Sequence, residues 1–167
     1  ELFAAGGEFD ITPYGTEALG VMRIEKGHPA GNELSGQTTA FDLGMGRLLS
    51  RKKDFIGRVM ANREALLDPA RPQLVGIRPV DIGQRIGAGA HLINAGAAPV
   101  AANDQGNVSS VAYSPSEASW IGLALLRNGP ERHGERLFAY DPVRGRNTEV
   151  QVCNPVFVDP EGVRVRG

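Results

Sequence analysis

The chain has 167 residues with 18 basic and 19 acidic side chains, enough for one large domain or for one and a half small ones. This charge balance excludes a basic field that would hold nucleic acid or an anionic membrane. The single cysteine, Cys153, excludes an intramolecular disulfide and a cysteine zinc site. No apolar stretch approaches the roughly 20 residues of a membrane span and no signal peptide opens the chain, so we expect a soluble, cytoplasmic protein.

The N-terminal residues predict a chain that begins within a secondary-structure element. The first stretch, ELFAAGG, is typical of the last turn of an amphipathic helix that ends at a glycine, which indicates a piece of a longer protein. The next, TEALGVMRIE, fits two structures equally, a strand over 21–25 or a short helix that begins at Thr16. A glycine-rich loop follows, with glycines at positions 27, 31 and 36, and it is called the glycine loop below.

Segment 37–70 predicts mixed structure. Thr39 is the expected N-cap of a helical turn around 41–43, and a strand is expected over 46–49. Asp54 is the expected N-cap of a helix with one apolar face, which ends ahead of Pro69.

Beyond Pro72 the chain changes to six short apolar or alternating runs, separated by glycine, proline and asparagine. They are QLVGIRPV, AHLINAG, GNVSSVAYS, SWIGLALLR, RLFAYDP and TEVQVCNPVFV. Such runs predict an antiparallel barrel or sandwich. Its core is expected to contain Trp120, Ile121, Leu123 and Leu125. The predicted fold class is therefore α+β, with an α/β lobe over 1–70 and a small antiparallel β domain over 72–167.

The reactive side chains do not by themselves select a reaction. His28, His91 and His133 lie at no metal-ligand spacing, so no metal site is predicted. The glycine-rich GQRIGAGAH precedes a strand rather than a helix, which is the wrong context for a phosphate cradle. Four carboxylates near the glycine loop are candidate general bases, and no spacing distinguishes them: Glu17, Glu25, Glu33 and Asp42.

The motif order over 19–58, LGVMRIEKGHPAGNELSGQTTAFDLGMGRLLSRKKDFIGR, resembles the aminomethyltransferase family typified by the glycine cleavage T-protein. In that family an L-R-L-E-x-G segment precedes a glycine loop and a T-x-P-like turn, and D-F-I-G-R opens a helix. Within the family, TPYGTEALGVMRIEKGHPAGNEL and KKDFIGR resemble the C-terminal part of sarcosine oxidase α subunits. LVGIRPVD and SPSEASWIGLALLRNG resemble the family's C-terminal barrel.

The resemblance implies a folate enzyme with three lobes around a channel for tetrahydrofolate, of which residues 1–70 would supply the C-terminal portion of the folate-binding lobe. In heterotetrameric sarcosine oxidases, flavin oxidises sarcosine to an imine elsewhere in the assembly. Folate then captures the one-carbon unit as 5,10-methylenetetrahydrofolate. Flavin and NAD would bind outside this chain, and its partners would be the rest of the α subunit and the other subunits. The family's catalytic aspartate lies upstream of these residues, so no catalytic residue is assigned here.

The resemblance also points to four cofactor-binding residues: Leu19, Arg23, Glu25 and Arg47. Leu19 stands where T-proteins carry an arginine at the folate, and Arg47 stands where they carry a pocket tryptophan, which indicates a pocket adapted to a different substrate. Arg23 and Glu25 are interpreted mainly as residues that pin the glycine loop. The loop itself is expected to wall the channel, and the alternative is a loop that only turns the chain between lobes.

Alternative functions remain open at this point. One is a non-catalytic lobe that docks partner subunits. Another is part of a stand-alone tetrahydrofolate-dependent aminomethyltransferase or of a dimethylglycine-type oxidase. In isolation the chain is expected to be inactive and flavin-free, with an apolar surface that drives self-association.

Overall fold

Six antiparallel strands close into a barrel in the computed structural model, which describes residues 1–166. The strands are β1 (Pro72–Pro79), β2 (His91–Asn94), β3 (Asp104–Ser114), β4 (Ser119–Arg127), β5 (Arg136–Asp141) and β6 (Arg146–Cys153). Their order around the barrel is β1-β4-β3-β2-β5-β6, and β6 pairs with β1 to close it. The prediction of an antiparallel β-barrel, and of these six runs as its strands, is confirmed.

Strand β4 is apolar on both faces because both faces are covered. Successive side chains of a strand point to opposite sides, so Ala124 and Leu126 enter the barrel interior, while Ile121 and Leu123 enter a second cluster on its outer face. The other members of that second cluster are Ile24, Leu74 and Phe157.

The predicted core therefore needs a correction. Ile121 and Leu123 are fully buried, but outside the barrel. Trp120 and Leu125 are only half-buried, and they lie against different clusters because they have opposite parity along the strand.

Short helices precede and interrupt the barrel. The α-helices are α1 (Leu2–Ala5), α2 (Thr16–Glu25), α3 (Arg58–Ala61), α4 (Glu64–Leu67) and α5 (Val163–Arg166). The 3-10 helices are Gly7–Phe9, Gly31–Glu33, Gly46–Leu48, Ala101–Asn103 and Gly129–Arg132. No helix within residues 1–166 combines the length and the apolar character that crossing a membrane requires.

The segment TEALGVMRIE, whose sequence fits a strand or a helix equally well, forms the helix α2. It packs across β3 and β4 and buries Ile24 against the outer face of the barrel. It ends in a Schellman motif, in which the His28 amide donates to the Arg23 carbonyl and the Gly27 amide donates to the Ile24 carbonyl. Tertiary packing thus decides between two local preferences that the sequence leaves balanced.

Two predictions in the segment before the barrel are wrong. The expected strand over 46–49 is instead the 3-10 helix Gly46–Leu48. Among the described residues this segment pairs with no strand, and Leu48 is mostly exposed. The expected long helix after Asp54 starts late and is divided into α3 and α4. Gly57, with a left-handed backbone at a φ of 92°, precedes the start of α3, and the extended backbone of Arg63 separates α3 from α4. Ile56 is fully exposed, so its expected apolar face has no packing partner here.

Thr39 does cap a turn, as expected. Its hydroxyl accepts a hydrogen bond from the Asp42 amide at 3.2 Å, while the Asp42 carboxylate accepts one from the Thr39 amide at 2.8 Å. This is the reciprocal arrangement of a capping box.

Candidate functional site

A fully buried carboxylate, Glu33, ties the glycine loop and α2 to the barrel. Its Oε2 accepts hydrogen bonds from the Arg23 guanidinium and the Ala30 amide, both at 2.9 Å. Its Oε1 accepts one each from the Ser109 and Ser110 hydroxyls, both at 2.6 Å. The cluster of Arg23, Glu33, Ser109 and Ser110, called the Glu33 network below, leaves the carboxylate fully paired.

A β-bulge explains how two successive serines reach one oxygen atom. In a regular strand their side chains would point to opposite faces. The register of β3 against β4 shifts between Val108 and Ser110, so Ser109 is an extra residue on β3. A bulge of this kind re-aims a side chain, and here it brings both hydroxyls to the same carboxylate.

The pKa of Glu33 is lowered from its ordinary value of 4.5. Burial alone would raise this pKa, but hydrogen bonds from the two serines and the Ala30 amide, together with the charge of Arg23, outweigh burial. Glu33 is therefore ionised near neutral pH and bound on all sides, which suits an anchor better than a general base.

Glu25 and Gly27 attach the end of α2 to the segment that follows β6. The Glu25 carbonyl accepts hydrogen bonds from the amides of Phe157 and Val158 at 2.8 and 3.0 Å, and its carboxylate accepts one from Ser114. Gly27 has a φ of 67°, and a Cβ there would lie 2.6 Å from the Pro155 carbonyl oxygen. Only glycine fits this approach.

A second buried carboxylate, Asp42, pairs with Arg71 just before β1. The shortest contact joins Nη2 of Arg71 and Oδ2 of Asp42 at 2.8 Å, and Arg71 Nη2 also donates to the Gln37 carbonyl. Burial would raise the pKa of Asp42, but hydrogen bonds from Arg71 and Thr39 and the charge of Arg71 hold it below its ordinary value. Asp42, like Glu33, joins the first part of the chain to the barrel.

Beside the Glu33 network, a cleft of about 430 Å³ runs between α2 and the barrel, and we call it the α2 cleft. Glu17, Val21 and Arg23 line its helical side, and Arg85 and Trp120 line its barrel side. The Arg85 guanidinium lies 4.7 Å from the centre of the Trp120 ring, a cation–π arrangement. An aromatic wall between cations suits a flat ring that carries carboxylates.

A larger cleft, of about 510 Å³, lies within segment 41–67, and we call it the Phe41 cleft. Phe41 and Phe55 supply aromatic surface, and Arg51 and Arg58 supply positive charge. An adjoining groove is lined by four cations: Arg47, Arg51, Lys52 and Lys53.

The structure does not bring the four predicted cofactor-binding residues together. Arg23 contacts the barrel by donating a hydrogen bond to the Ser110 hydroxyl at 2.6 Å, and Glu25 contacts it by accepting one from Ser114. Leu19 is half-exposed on α2 and does not line the α2 cleft. Arg47 is exposed and lines the cationic groove instead.

Of the four candidate bases, Glu25, Glu33 and Asp42 are buried and hydrogen-bonded, whereas Glu17 is exposed at the α2 cleft. Burial raises the pKa of the Cys153 thiol at the end of β6, so this cysteine is not activated as a nucleophile. Within residues 1–166, no group of three or more histidine, cysteine, aspartate or glutamate side chains is placed to hold a metal ion.

Sequence reasoning missed Ser109, Ser110 and Arg85. The adjacent serines inside the apolar run GNVSSVAYS were the available signal, because polar side chains on both faces of a buried strand require partners. Arg85 had no such signal, since only the folded chain places it on Trp120.

Comparison with known proteins gives two matching family models. Residues 1–53 match the GCVT N-terminal domain, and residues 73–159 match the glycine cleavage T-protein C-terminal barrel domain. The crystal structure of glycine cleavage system aminomethyltransferase T from Bartonella henselae superposes with a TM-score of 0.70 at 23% identity, over 93% of this chain and 42% of that one. This likeness shows a shared fold.

Two curated relatives are sarcosine oxidase α subunits. The chain is 47% identical over 165 residues to sarcosine oxidase subunit alpha of Rhizobium meliloti (strain 1021), which covers 98% of this chain. It is 41% identical over 170 residues to the same subunit of Corynebacterium sp. (strain P-1), which covers all of this chain. The chain spans 17% of the length of each relative. With its barrel matched over 73–159, the chain belongs to the glycine cleavage T-protein family.

Proposed function

We propose that this chain is the folate-binding C-terminal portion of a sarcosine oxidase α subunit. The observation that carries the proposal is the 47% identity to a sarcosine oxidase subunit alpha over 98% of this chain. Residues 1–70 would be the C-terminal portion of the aminomethyltransferase lobe, and residues 72–167 its barrel domain. The rest of the α subunit and the other subunits would be its partners, and flavin and NAD would bind in those other parts.

In this proposal the chain helps to capture the one-carbon unit of oxidised sarcosine as 5,10-methylenetetrahydrofolate. The carboxylate that manages the proton on the attacking nitrogen would come from outside these residues. The role of this chain would be to bind and orient tetrahydrofolate, which has flat rings and a carboxylate tail. Orientation of two reactants is itself a large catalytic contribution.

The α2 cleft supports this role by its chemistry. Trp120 and Tyr113 form an edge-to-face pair with ring centres 6.0 Å apart, and Arg85 stacks on the Trp120 ring. Such a surface accepts a ring by stacking and a carboxylate by charge. Arg23 and Glu25 would act by holding α2 in place beside this cleft. Leu19, which does not line the cleft, would contact only a part of the ligand that extends over the exposed side of the helix.

Arg47 would bind the carboxylate tail. It is exposed in the cationic groove with three further basic side chains, where several positive charges can meet an extended anion. Because Arg47 is far from full burial, this contact would be charge-assisted but screened by salt.

The test uses the assembled full-length complex. The quantity to measure is the ratio of 5,10-methylenetetrahydrofolate to peroxide formed during sarcosine turnover with added tetrahydrofolate. Arg47→Ala and Arg85→Gln are each expected to lower this ratio and to raise the apparent KM for folate. Arg136→Gln is the matched control, because Arg136 is an exposed arginine on β5 with only a 3.6 Å contact to Glu149. Ratios equal to the control for both variants would contradict the proposal.

One observation favours a second role as a docking lobe. Within residues 44–61, three apolar side chains are largely exposed: Leu48 at 76%, Val59 at 81% and Ile56 fully. Surface of this kind marks contact with another protein segment, and we propose that another subunit of the complex covers it. Replacing Ile56 and Val59 by Ser should weaken assembly of the subunits and leave the isolated chain as stable as before. Unchanged assembly by sedimentation velocity would exclude this second role.

A further inference from the structure

A pocket of about 310 Å³ on the outer face of the barrel shares no lining residue with the α2 cleft or the Phe41 cleft. It lies over β2, between β3 and β5. His91, Ile93, Val100, Asp104 and Tyr140 are among the residues that line it.

Strand pairing places these side chains together. His91 and Ile93 are two residues apart on β2 and so share a face, whereas Leu92 between them is fully buried in the barrel interior. Tyr140 on β5 is directly opposite His91, and Asp104 on β3 is opposite Ile93. The site is therefore built on three neighbouring strands rather than on a mobile loop.

One wall of the pocket is a loop that its own hydrogen bonds hold in place. Over 95–103, the Asn103 side-chain amide donates to the Ala98 carbonyl at 2.9 Å, and the Asn103 backbone amide donates to the Val100 carbonyl at 2.9 Å. Pro99 adds a ring of fixed backbone geometry. This wall is apolar and preformed, as small-molecule pockets usually are.

Among the polar side chains that line this pocket, His91 is oriented by a neighbouring carboxylate. Asp104 Oδ1 accepts a hydrogen bond from the Gly106 amide at 3.1 Å, which fixes the carboxylate, and Oδ2 lies 3.3 Å from Nδ1 of His91. An ionised carboxylate can only accept, so the shared proton belongs to Nδ1. In a neutral ring this leaves Nε2 as a hydrogen-bond acceptor.

We propose that this pocket binds an uncharged aromatic heterocycle of one or two rings with an N–H donor, which donates to Nε2 of His91. The volume is at the small end of the roughly 300–1,000 Å³ of ligand pockets, which limits the ligand to this size. Val100 and Tyr140 supply the apolar and aromatic contact, and the negative charge of Asp104 disfavours an anion.

Indole and benzofuran form a matched pair of probes, since the second replaces the N–H of the first by an oxygen atom. Titration of the ¹⁵N-labelled chain with indole should shift backbone amides of 91–104 and of Tyr140 saturably. Benzofuran should bind roughly fivefold more weakly, as expected for the loss of one hydrogen bond. His91→Leu should weaken indole binding by about the same factor and abolish the difference between the probes. His133→Leu, at an exposed histidine outside the pocket, should change neither.

Three results would overturn this proposal. One is the absence of saturable shifts up to the solubility limit of indole. Another is a set of shifts centred on the α2 cleft instead of the pocket. The third is equal affinity for indole and benzofuran in the unmodified chain, which would show that His91 accepts no hydrogen bond from the ligand.

Discussion

Replacing Glu33 by glutamine tests whether the Glu33 network anchors α2 to the barrel. Glutamine keeps the shape of the side chain, and its NH₂ group can donate to the serine hydroxyls while its oxygen still accepts from Arg23 and Ala30. What is lost is the negative charge in a fully buried position. Hydrogen bonds to a charged group contribute about 1.5–3 kcal/mol, against about 0.5–1.5 kcal/mol for neutral ones.

Because four such bonds weaken together and are not additive, we expect Glu33→Gln to lower the free energy of unfolding by about 2–3 kcal/mol. Urea denaturation followed by the fluorescence of the single tryptophan, Trp120, measures this change as a shift in midpoint at constant m-value. Glu131→Gln, at an exposed glutamate, is the control and should change stability by less than about 0.5 kcal/mol.

The same variant predicts a pH dependence with a definite sign. The folded-state pKa of Glu33 lies below its ordinary value of 4.5, so the folded state binds the proton more weakly than the unfolded state does. The stabilisation is therefore complete above pH 4.5 and is lost as the pH falls through the lower folded-state pKa. The stability difference between the unmodified chain and Glu33→Gln should be constant from pH 7 to about 5.5 and should shrink below about 4.5. A difference at pH 7 no larger than that of the control, or one that grows as the pH falls, would refute the anchoring role.

Three further predictions follow from other contacts. Trp120→Ala should lower the free energy of unfolding, measured by circular dichroism, by about 2 kcal/mol. This is less than the roughly 3–5 kcal/mol for a fully buried tryptophan, because Trp120 is half-buried. A loss below about 0.5 kcal/mol would show that Trp120 does not contribute to the packing of the barrel. Gly27→Ala should cost about 2–3 kcal/mol, because the new Cβ would meet the Pro155 carbonyl at a positive φ. Gly36→Ala, whose Cβ would meet nothing within 4 Å, is its control, and equal costs would contradict the close approach. The purified 167-residue chain should be colourless, form no peroxide from sarcosine and self-associate in sedimentation velocity. Flavin absorbance or sarcosine-dependent peroxide would contradict the proposal that flavin binds outside this chain.

The barrel was predictable because its signals are local. Six runs with period-two alternation, separated by turn residues, specify strands whatever the order in which they pair. Local signals also located the capped turn at Thr39. The direction in which the side chains of SWIGLALLR point was not predictable in the same way, because a strand covered on both faces loses its alternation of apolar and polar residues.

The errors before the barrel have a common physical cause. The run after Asp54 has helical periodicity, but periodicity becomes a helix only where a packing surface stabilises it. Ile56 and Val59 have no such surface among the residues described, and Gly57 takes a left-handed backbone that interrupts the run. At the candidate site, the carboxylates near the glycine loop could be listed from the sequence but not ranked. Their ranking depends on partners such as Ser110 and Arg71, which the fold brings from distant positions.

The contacts that hold α2 also set the order in which the chain can fold during synthesis. The helix is synthesised before the barrel, yet Arg23 binds Ser110, which is 87 residues later, and Lys26 binds Asp159, which is 133 residues later. A ten-residue helix is only marginally stable without such partners. Closure of the barrel must therefore come first, and α2 docks as a late event of high contact order. Until Asp159 has been synthesised, α2 lacks its full set of tertiary contacts and is open to chaperones and proteases.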